Sequence, residues 1–317
     1  MAKDNHHIVP QFYLRNFANG VARKARFTAF EKETGRSFGA VVRDVAATRH
    51  FNRIKVDDGT DPDALENAIA QIEGEWAPLV AEVIAAGGFP SSLHREAMLT
   101  LTATLSLRSG RFREAIHDLL VETATKMMDV NLSSKERWQA AHPEEYFPHE
   151  ELTKFWDDKE FDLTFEQTYF IARELEAIGP VYEILDRRNW RFVRPGGQNR
   201  FITCDDPAVL HWTEERDRGF WSSPGHGVGG TSVTFPLSPE LLVFGTFEPQ
   251  PPDGVASDFE VGQFNGLIAG HARRHFFARD TRFSIGMQGI GVVPATEIAR
   301  FLKSSGSEAC SSSGAAS

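Results

Sequence analysis

The feature that most constrains the fold is a change in the spacing of apolar residues near residue 190. From about residue 61 to residue 188, apolar side chains recur every three or four positions, as they do on the buried face of an α-helix. From Trp190 to Gly245, short apolar runs alternate with glycine and proline turns, which is typical of β-strands. Helices and strands that occupy separate stretches of one chain predict an α+β fold.

A further pair of strands is predicted before the helices. Residues 26–42 contain two short apolar runs separated by a polar turn in which Gly35 can adopt a positive φ, so we expect a β-hairpin. The predicted architecture is a mainly α-helical block, about residues 61–188, packed with a small antiparallel sheet from hairpin 26–42 and strands 190–245. We predict a single domain over residues 1–302 and a disordered Ser/Gly/Ala-rich tail over residues 303–317.

Composition excludes several classes of protein. The formal net charge of −10 gives no long-range positive field that would attract nucleic acid. Only two cysteines occur, which excludes a disulfide scaffold and fits a reducing cytoplasm, where we expect the protein to be located. No stretch of about 18 apolar residues could span a membrane, so we expect no membrane partner. The oligomeric state is not predicted.

The first candidate site is the adjacent pair His6 and His7, which precedes Pro10 and a short apolar helix. Side chains alternate along an extended segment, so one imidazole should face the core and the other a site. Imidazole transfers protons near neutral pH and ligates metals. The alternative is that both histidines are structural and fasten the amino-terminal segment to the core.

The second candidate site lies at the end of an apolar strand, where Asp205 and Asp206 precede Pro207. A carboxylate just beyond a strand is rigidly held and can still reach a cleft, which suits a general base or a metal ligand. The alternative is a simple turn, because Asp also bonds to neighbouring backbone amides.

Two arginines form the third candidate site. Arg108 and Arg111 are three positions apart in a helix predicted from about Ser91 to Asp118, so they should share one helix face and could bind phosphate or carboxylate together. A plain ion pair between Arg108 and an acidic residue is the alternative.

The fourth candidate site lies on a helix predicted from Asp258 through Phe277. Asn265 could direct its amide into a pocket, and His271 and His275 are one turn apart, a spacing that metal-binding pairs use. Basic neighbours disfavour a cation there. Stabilisation of basic residues by the helix dipole explains them equally well.

Several of these stretches together resemble a known family. The segments are His6-His7-Ile8-Val9-Pro10-Gln11-Phe12-Tyr13-Leu14, Thr203-Cys204-Asp205-Asp206-Pro207 and Phe235-Pro236-Leu237-Ser238-Pro239. They resemble the bacterial domain-of-unknown-function 4238 family from about His6 to Asp280. The resemblance implies a single bacterial domain and brings no established activity.

Taken together, the candidates predict a hydrolase, nuclease-like or phosphoesterase-like, that acts on a phosphate-containing or nucleotide-like substrate. The predicted catalytic residues are His6, His7, Asp205 and Asp206. The predicted substrate-binding residues are Arg108, Arg111 and Asn265. A divalent metal held by His7 and Asp205 is a further hypothesis. The alternative is a non-catalytic ligand-binding or partner-binding module, such as one from a bacterial defence or toxin–antitoxin locus.

Overall fold

The computed structural model describes residues 5–20, 24–54, 61, 63–142, 148–159, 161–213 and 223–302. The chain divides into two compact units, the first made of residues 1–108 and 174–317 and the second of residues 109–173. The prediction of a single domain over residues 1–302 stays a prediction. The predicted disordered tail, residues 303–317, lies outside the described residues.

Helices and strands occupy separate stretches of the chain. The amino-terminal part of the first unit contains β1 (Asn5–His7), α1 (Gln11–Arg15), β2 (Arg26–Glu31), β3 (Ser37–Val41), β4 (Ala47–Arg49), α2 (Ala64–Ala86) and α3 (Ser92–Leu107). The second unit contains α4 (Gly110–Leu132), α5 (Lys135–Ala141), α6 (His149–Asp158) and the start of α7 (Gln167–Asp186). No helix among the described residues is both long enough and apolar enough to cross a membrane.

The carboxyl-terminal part of the first unit supplies most of its strands. They are β5 (Asn189–Pro195), β6 (Thr203–Cys204), β7 (Val209–Trp212), β8 (Thr231–Ser238), β9 (Leu241–Thr246), β10 (Gly254–Ala256), β11 (His275–Ala278), β12 (Ser284–Met287) and β13 (Gly291–Pro294), with α8 (Asp258–His271) between β10 and β11. These elements confirm the predicted α+β class.

The strands form several sheets rather than one. A four-stranded antiparallel sheet has the order β3-β2-β11-β6, so the predicted hairpin pairs with β11. A five-stranded sheet has the order β10-β5-β9-β8-β7, in which only β10 and β5 run parallel. Two short pairs, β1 with β4 and β12 with β13, complete the strand pairing of the described residues.

The long helix predicted from Ser91 to Asp118 is interrupted. Helix α3 ends at Leu107, and α4 begins at Gly110. Between them Ser109 has extended backbone angles (φ −113°, ψ 148°), and its hydroxyl accepts the N–H of Phe112 at 3.2 Å as an N-cap. The prediction that Arg108 and Arg111 share one helix face was therefore wrong.

Helix α8 is shorter than predicted. It ends at His271, and residues 275–278 form strand β11 instead of continuing the helix to Phe277. Lys32 ends the helix by donating from Nζ to the carbonyls of Gly270 and Ala272 at 2.6 and 2.8 Å. The backbone of Phe277 pairs with both β2 and β6, so sheet pairing overrides the local helical pattern.

Tyr13 connects the opening helix to both large sheets. Its side chain has no exposed surface, and its ring stacks on Phe235 with 5.3 Å between ring centroids. The hydroxyl donates to the carbonyl of Pro236 in β8 at 2.7 Å and therefore accepts from the hydroxyl of Thr203 in β6, also at 2.7 Å. Burial raises the pKa of the Tyr13 hydroxyl well above its usual value. This hydroxyl thus fixes the position of residues 6–15, which we call the opening motif.

Replacement of Tyr13 by Phe should test this connection. The change leaves a buried carbonyl and a buried hydroxyl without their partner, so the free energy of unfolding should fall by about 1–3 kcal/mol. Urea denaturation followed by circular dichroism measures the loss. Tyr169→Phe is the control, because Tyr169 is 41% exposed and should change stability little. An equal effect of the two changes would contradict the role of the Tyr13 hydroxyl.

Candidate functional site

His6 is a structural residue of the opening segment. Its side chain has no exposed surface, and its Nδ1 accepts the backbone N–H of Asn52 at 2.9 Å, so the ring proton is on Nε2 when the imidazole is neutral. Carboxylate oxygens of Asp63 and Glu66 lie 3.9 Å from its ring nitrogens. These contacts fasten β1 to the segment before α2 and to the first turn of α2, as the alternative interpretation of the histidines expects.

His7 points the other way and is partly exposed, as the alternation along β1 predicted. Its Nε2 lies 2.7 Å from the side-chain nitrogen of Gln11, whose side-chain oxygen accepts from Arg15 at 3.0 Å. Because the Gln11 nitrogen can only donate, Nε2 of His7 is the acceptor and the ring proton is on Nδ1. The opening motif therefore forms a polar chain, His7–Gln11–Arg15, that runs along α1.

The two predicted substrate-binding arginines lie in different surroundings. Arg108 is 3% exposed, donates from one NH₂ group to the main-chain carbonyl of His7 at 3.0 Å, and lies 3.8 Å from a carboxylate oxygen of Glu73. It therefore holds the backbone of β1 and has the acidic neighbour that the ion-pair alternative expects. Arg111 is exposed on α4, in the second unit.

Asp205 binds the backbone that follows α8. Its two carboxylate oxygens accept the N–H groups of Arg273, Arg274 and His275 at 2.7, 2.9 and 3.0 Å. Charge-assisted bonds of this kind are strong, and here they fix the chain between the end of α8 and β11. These partners are 68 to 70 residues away in sequence, so Asp205 has a structural role that differs from the local turn of the alternative interpretation.

Asn265 is also engaged within the protein. Its side chain has no exposed surface, and its oxygen accepts the N–H of Ile202 at 3.1 Å. Its nitrogen donates to the carbonyls of Arg200 and Ser284 at 2.8 and 3.0 Å. The amide thus joins α8 to the segments before β6 and at β12, rather than turning towards a ligand.

Asp206 differs from its neighbour because it faces a histidine. The carboxylate is 2% exposed, and Oδ2 lies 3.4 Å from Nε2 of His271, whose side chain is 17% exposed. The buried thiol of Cys204 donates to the main-chain carbonyl of Asp206 at 3.1 Å, which helps to position the residue. A buried carboxylate beside a partly exposed imidazole is the arrangement that orients a histidine for proton transfer.

A second histidine lies close to this pair. His211, in β7, has Nδ1 3.0 Å from the carbonyl of Trp212 and Nε2 2.9 Å from the hydroxyl of Ser232, so Nδ1 donates and Nε2 accepts. Burial lowers the pKa of His211, and the charge that His271 can carry lowers this pKa further, against the carbonyl bond, which raises it. We call Asp206, His211, Ser232 and His271 the His/Asp cluster.

The hypothesis of a divalent metal held by His7 and Asp205 receives no support from the side chains of the described residues. Across the described ranges, no group of three or more His, Cys, Asp and Glu side chains is arranged to hold a metal ion. Both oxygens of Asp205 already accept backbone N–H groups.

Sequence reasoning missed the pairing of Asp206 with His271. It placed His271 beside His275 on one helix, whereas the helix ends between them. The end of α8 is set by Lys32 and Asp205, which are distant in sequence, so no local pattern indicates it. The signal that was available is the Asp-Asp-Pro sequence itself, whose first carboxylate binds the backbone after α8 and whose second faces the imidazole.

The fold and the cluster define an α+β protein with a candidate acid–base site between a strand end and a helix end. The model of one family, described as "Protein of unknown function (DUF4238)", matches residues 5–282. The match covers most of the chain, so the chain belongs to this family, and the resemblance inferred from the sequence is confirmed. The comparison with curated proteins gave no match, and the comparison with solved structures gave none either.

Asp205→Asn should destabilise the protein. The amide that replaces one carboxylate oxygen presents N–H groups to backbone N–H groups, so we expect the free energy of unfolding to fall by about 1–3 kcal/mol. Asp44→Asn is the control, because the Asp44 carboxylate is 58% exposed and its ion pair is with its neighbour Arg43. Chemical denaturation of both variants measures the difference. A loss no larger than that of the control would contradict the structural role of Asp205.

Proposed function

We propose that this protein is a hydrolase of phosphate-containing substrates, with His271 as general base and Asp206 as the residue that positions it. The observation that carries the proposal is the 3.4 Å approach of the buried Asp206 carboxylate to the partly exposed His271 imidazole. The His/Asp/Arg chemistry expected from the sequence is retained, but the histidine is His271 rather than His6 or His7.

The surroundings of His271 favour an anionic substrate. Arg273 and Arg274 are exposed and lie two and three residues after His271, and Lys32 donates to the carbonyls of Gly270 and Ala272 on either side of the histidine. These cations oppose the overall negative charge of the chain and can attract a phosphate group locally. A phosphate ester or a nucleotide-like molecule fits this environment.

The proposed step is a hydrolytic displacement at phosphorus. His271 removes a proton from water as the water oxygen bonds to phosphorus, the bond from phosphorus to the ester oxygen breaks, and the leaving oxygen takes a proton from solvent. The Asp206 carboxylate stabilises the imidazolium that forms. We infer that the reaction takes place in the cytoplasm, because a chain with two cysteines fits a reducing compartment.

A non-catalytic binding module is the second candidate function. It is favoured by the engagement of Asp205 and Asn265 in hydrogen bonds to the protein backbone and by the complete burial of His6. In this interpretation, the chain binds a phosphate-bearing ligand or a partner without turnover.

Hydrolysis of p-nitrophenyl phosphate and of bis-p-nitrophenyl phosphate by the purified chain tests the first candidate. His271→Gln should reduce kcat by about 100-fold or more, the usual contribution of a general base. Asp206→Asn should reduce kcat with little change in KM, because it acts through His271. Added imidazole should restore part of the activity of a His271→Ala variant.

His117→Gln provides the matched control, because His117 is 42% exposed and lies in the second unit. It should keep the wild-type rate. Wild-type activity in the His271 and Asp206 variants would overturn the proposal. Absence of turnover by a wild-type protein that binds these esters would favour the binding module.

A further inference from the structure

A cleft in the first unit brings together three arginines from distant parts of the chain. The cleft has a volume of about 330 Å³, and Arg15, Arg194 and Arg279 line it together with Ser238 and Glu240. They come from the end of α1, from β5 and from the residue after β11. No residue of the His/Asp cluster lines the cleft. It is therefore a separate candidate site.

The charge of the cleft favours a dianion. Three arginines and one glutamate give it a formal charge of +2, in a chain whose net charge is −10. Within the described residues, the side chains of Arg15 and Arg194 bond to neutral groups, namely the Gln11 amide oxygen and the Ala86 carbonyl. Arg279 is the one of the three that pairs with a carboxylate in the described part of the chain, that of Glu240 at 2.6 Å.

The three arginines are held in place by the protein. His7 contacts Gln11, which accepts from Arg15, so the opening motif positions the first arginine. Arg194 lies against Gly87, where φ is +67° and any larger side chain would collide with the guanidinium. Side chains that are ordered before a ligand arrives lose less entropy on binding.

Arg279 is fixed between two partners. One of its NH₂ groups donates to the Asn16 carbonyl at 3.0 Å, while the other binds Glu240. The Glu240 carboxylate is half exposed, so it is a replaceable anion that occupies Arg279 until a stronger one binds. Guanidinium groups match the geometry of phosphate and form charge-assisted hydrogen bonds with it.

We propose that this cleft binds the phosphate group of a small phosphate-bearing molecule through Arg15, Arg194 and Arg279. A phosphate monoester carries about −1.5 to −2 charges at pH 7, which matches the cleft, whereas a carboxylate carries one. Ile84 adds an apolar wall on which an organic group attached to the phosphate can pack. The site does not depend on His271, so it stands whether or not the chain hydrolyses phosphate esters.

Isothermal titration of the full chain tests the site, with inorganic phosphate, phenylphosphonate and acetate as probes at matched ionic strength. Both phosphorus probes should bind, and acetate should bind at least about tenfold more weakly because it has fewer charges and oxygens for the three guanidiniums. Tighter binding of phenylphosphonate identifies a ligand with an organic group. Equal binding of the two identifies free phosphate.

Charge variants give the sharpest result. Arg15→Gln and Arg194→Gln should each weaken phosphate binding by about tenfold or more, and Glu240→Gln should strengthen it because Arg279 loses its competing carboxylate. Arg36→Gln and Glu33→Gln, at exposed positions outside the cleft, are the matched controls and should bind as the wild type does. Arg15→Gln should weaken phosphate binding by the same factor when His271 is already replaced by Gln, which separates this site from the proposed hydrolase site.

The proposal is overturned if the wild-type chain binds neither phosphorus probe. It is also overturned if the Arg15 and Arg194 variants bind phosphate as tightly as the Arg36 control. Arg15 and Arg194 are exposed, so their replacement should leave the thermal unfolding temperature close to that of the wild type. Measuring that temperature for each variant confirms that a loss of binding reflects the cleft.

Discussion

The hydroxyl of Tyr13 makes the contact on which the placement of the opening motif depends. It accepts from Thr203 in one large sheet and donates to Pro236 in the other, so helix α1 is joined to both. The polar residues of the opening motif lie in α1 or in β1, the strand before it. His6 faces inwards to Asn52, while His7, Gln11 and Arg15 form the polar chain that ends at the arginine cleft.

The polar residues that the sequence singles out divide into two groups. Asp205, Asn265 and Arg108 bond to main-chain groups and hold segments of backbone together. Asp206 and His271 instead face each other, with the imidazole partly exposed. A polar residue at a strand end or in a helix can therefore serve the fold alone. The partner that the residue contacts in the folded protein decides whether it has a structural role, as Asp205 does, or can take part in chemistry, as Asp206 can.

Much of the fold could be predicted because its causes are local. The spacing of apolar residues indicates the helices between residues 64 and 186, and a glycine-containing turn indicates the β2–β3 hairpin. The break at Ser109 and the end of α8 could not be predicted in this way. The first depends on a serine cap inside a continuous apolar pattern, and the second on pairing of β11 with strands more than 70 residues away. The arginine cleft could not be predicted from the sequence either. Its three guanidiniums come from positions 15, 194 and 279, which only the folded chain brings together.

A crystal structure of the protein with vanadate, which mimics the phosphoryl group during transfer, shows directly whether His271 is the general base. If His271 is the general base, vanadate lies within hydrogen-bonding distance of its imidazole, with the Asp206 carboxylate still beside that ring. Vanadate bound only in the arginine cleft, or a His271 imidazole that makes no contact with it, would contradict the assignment of His271 as the general base.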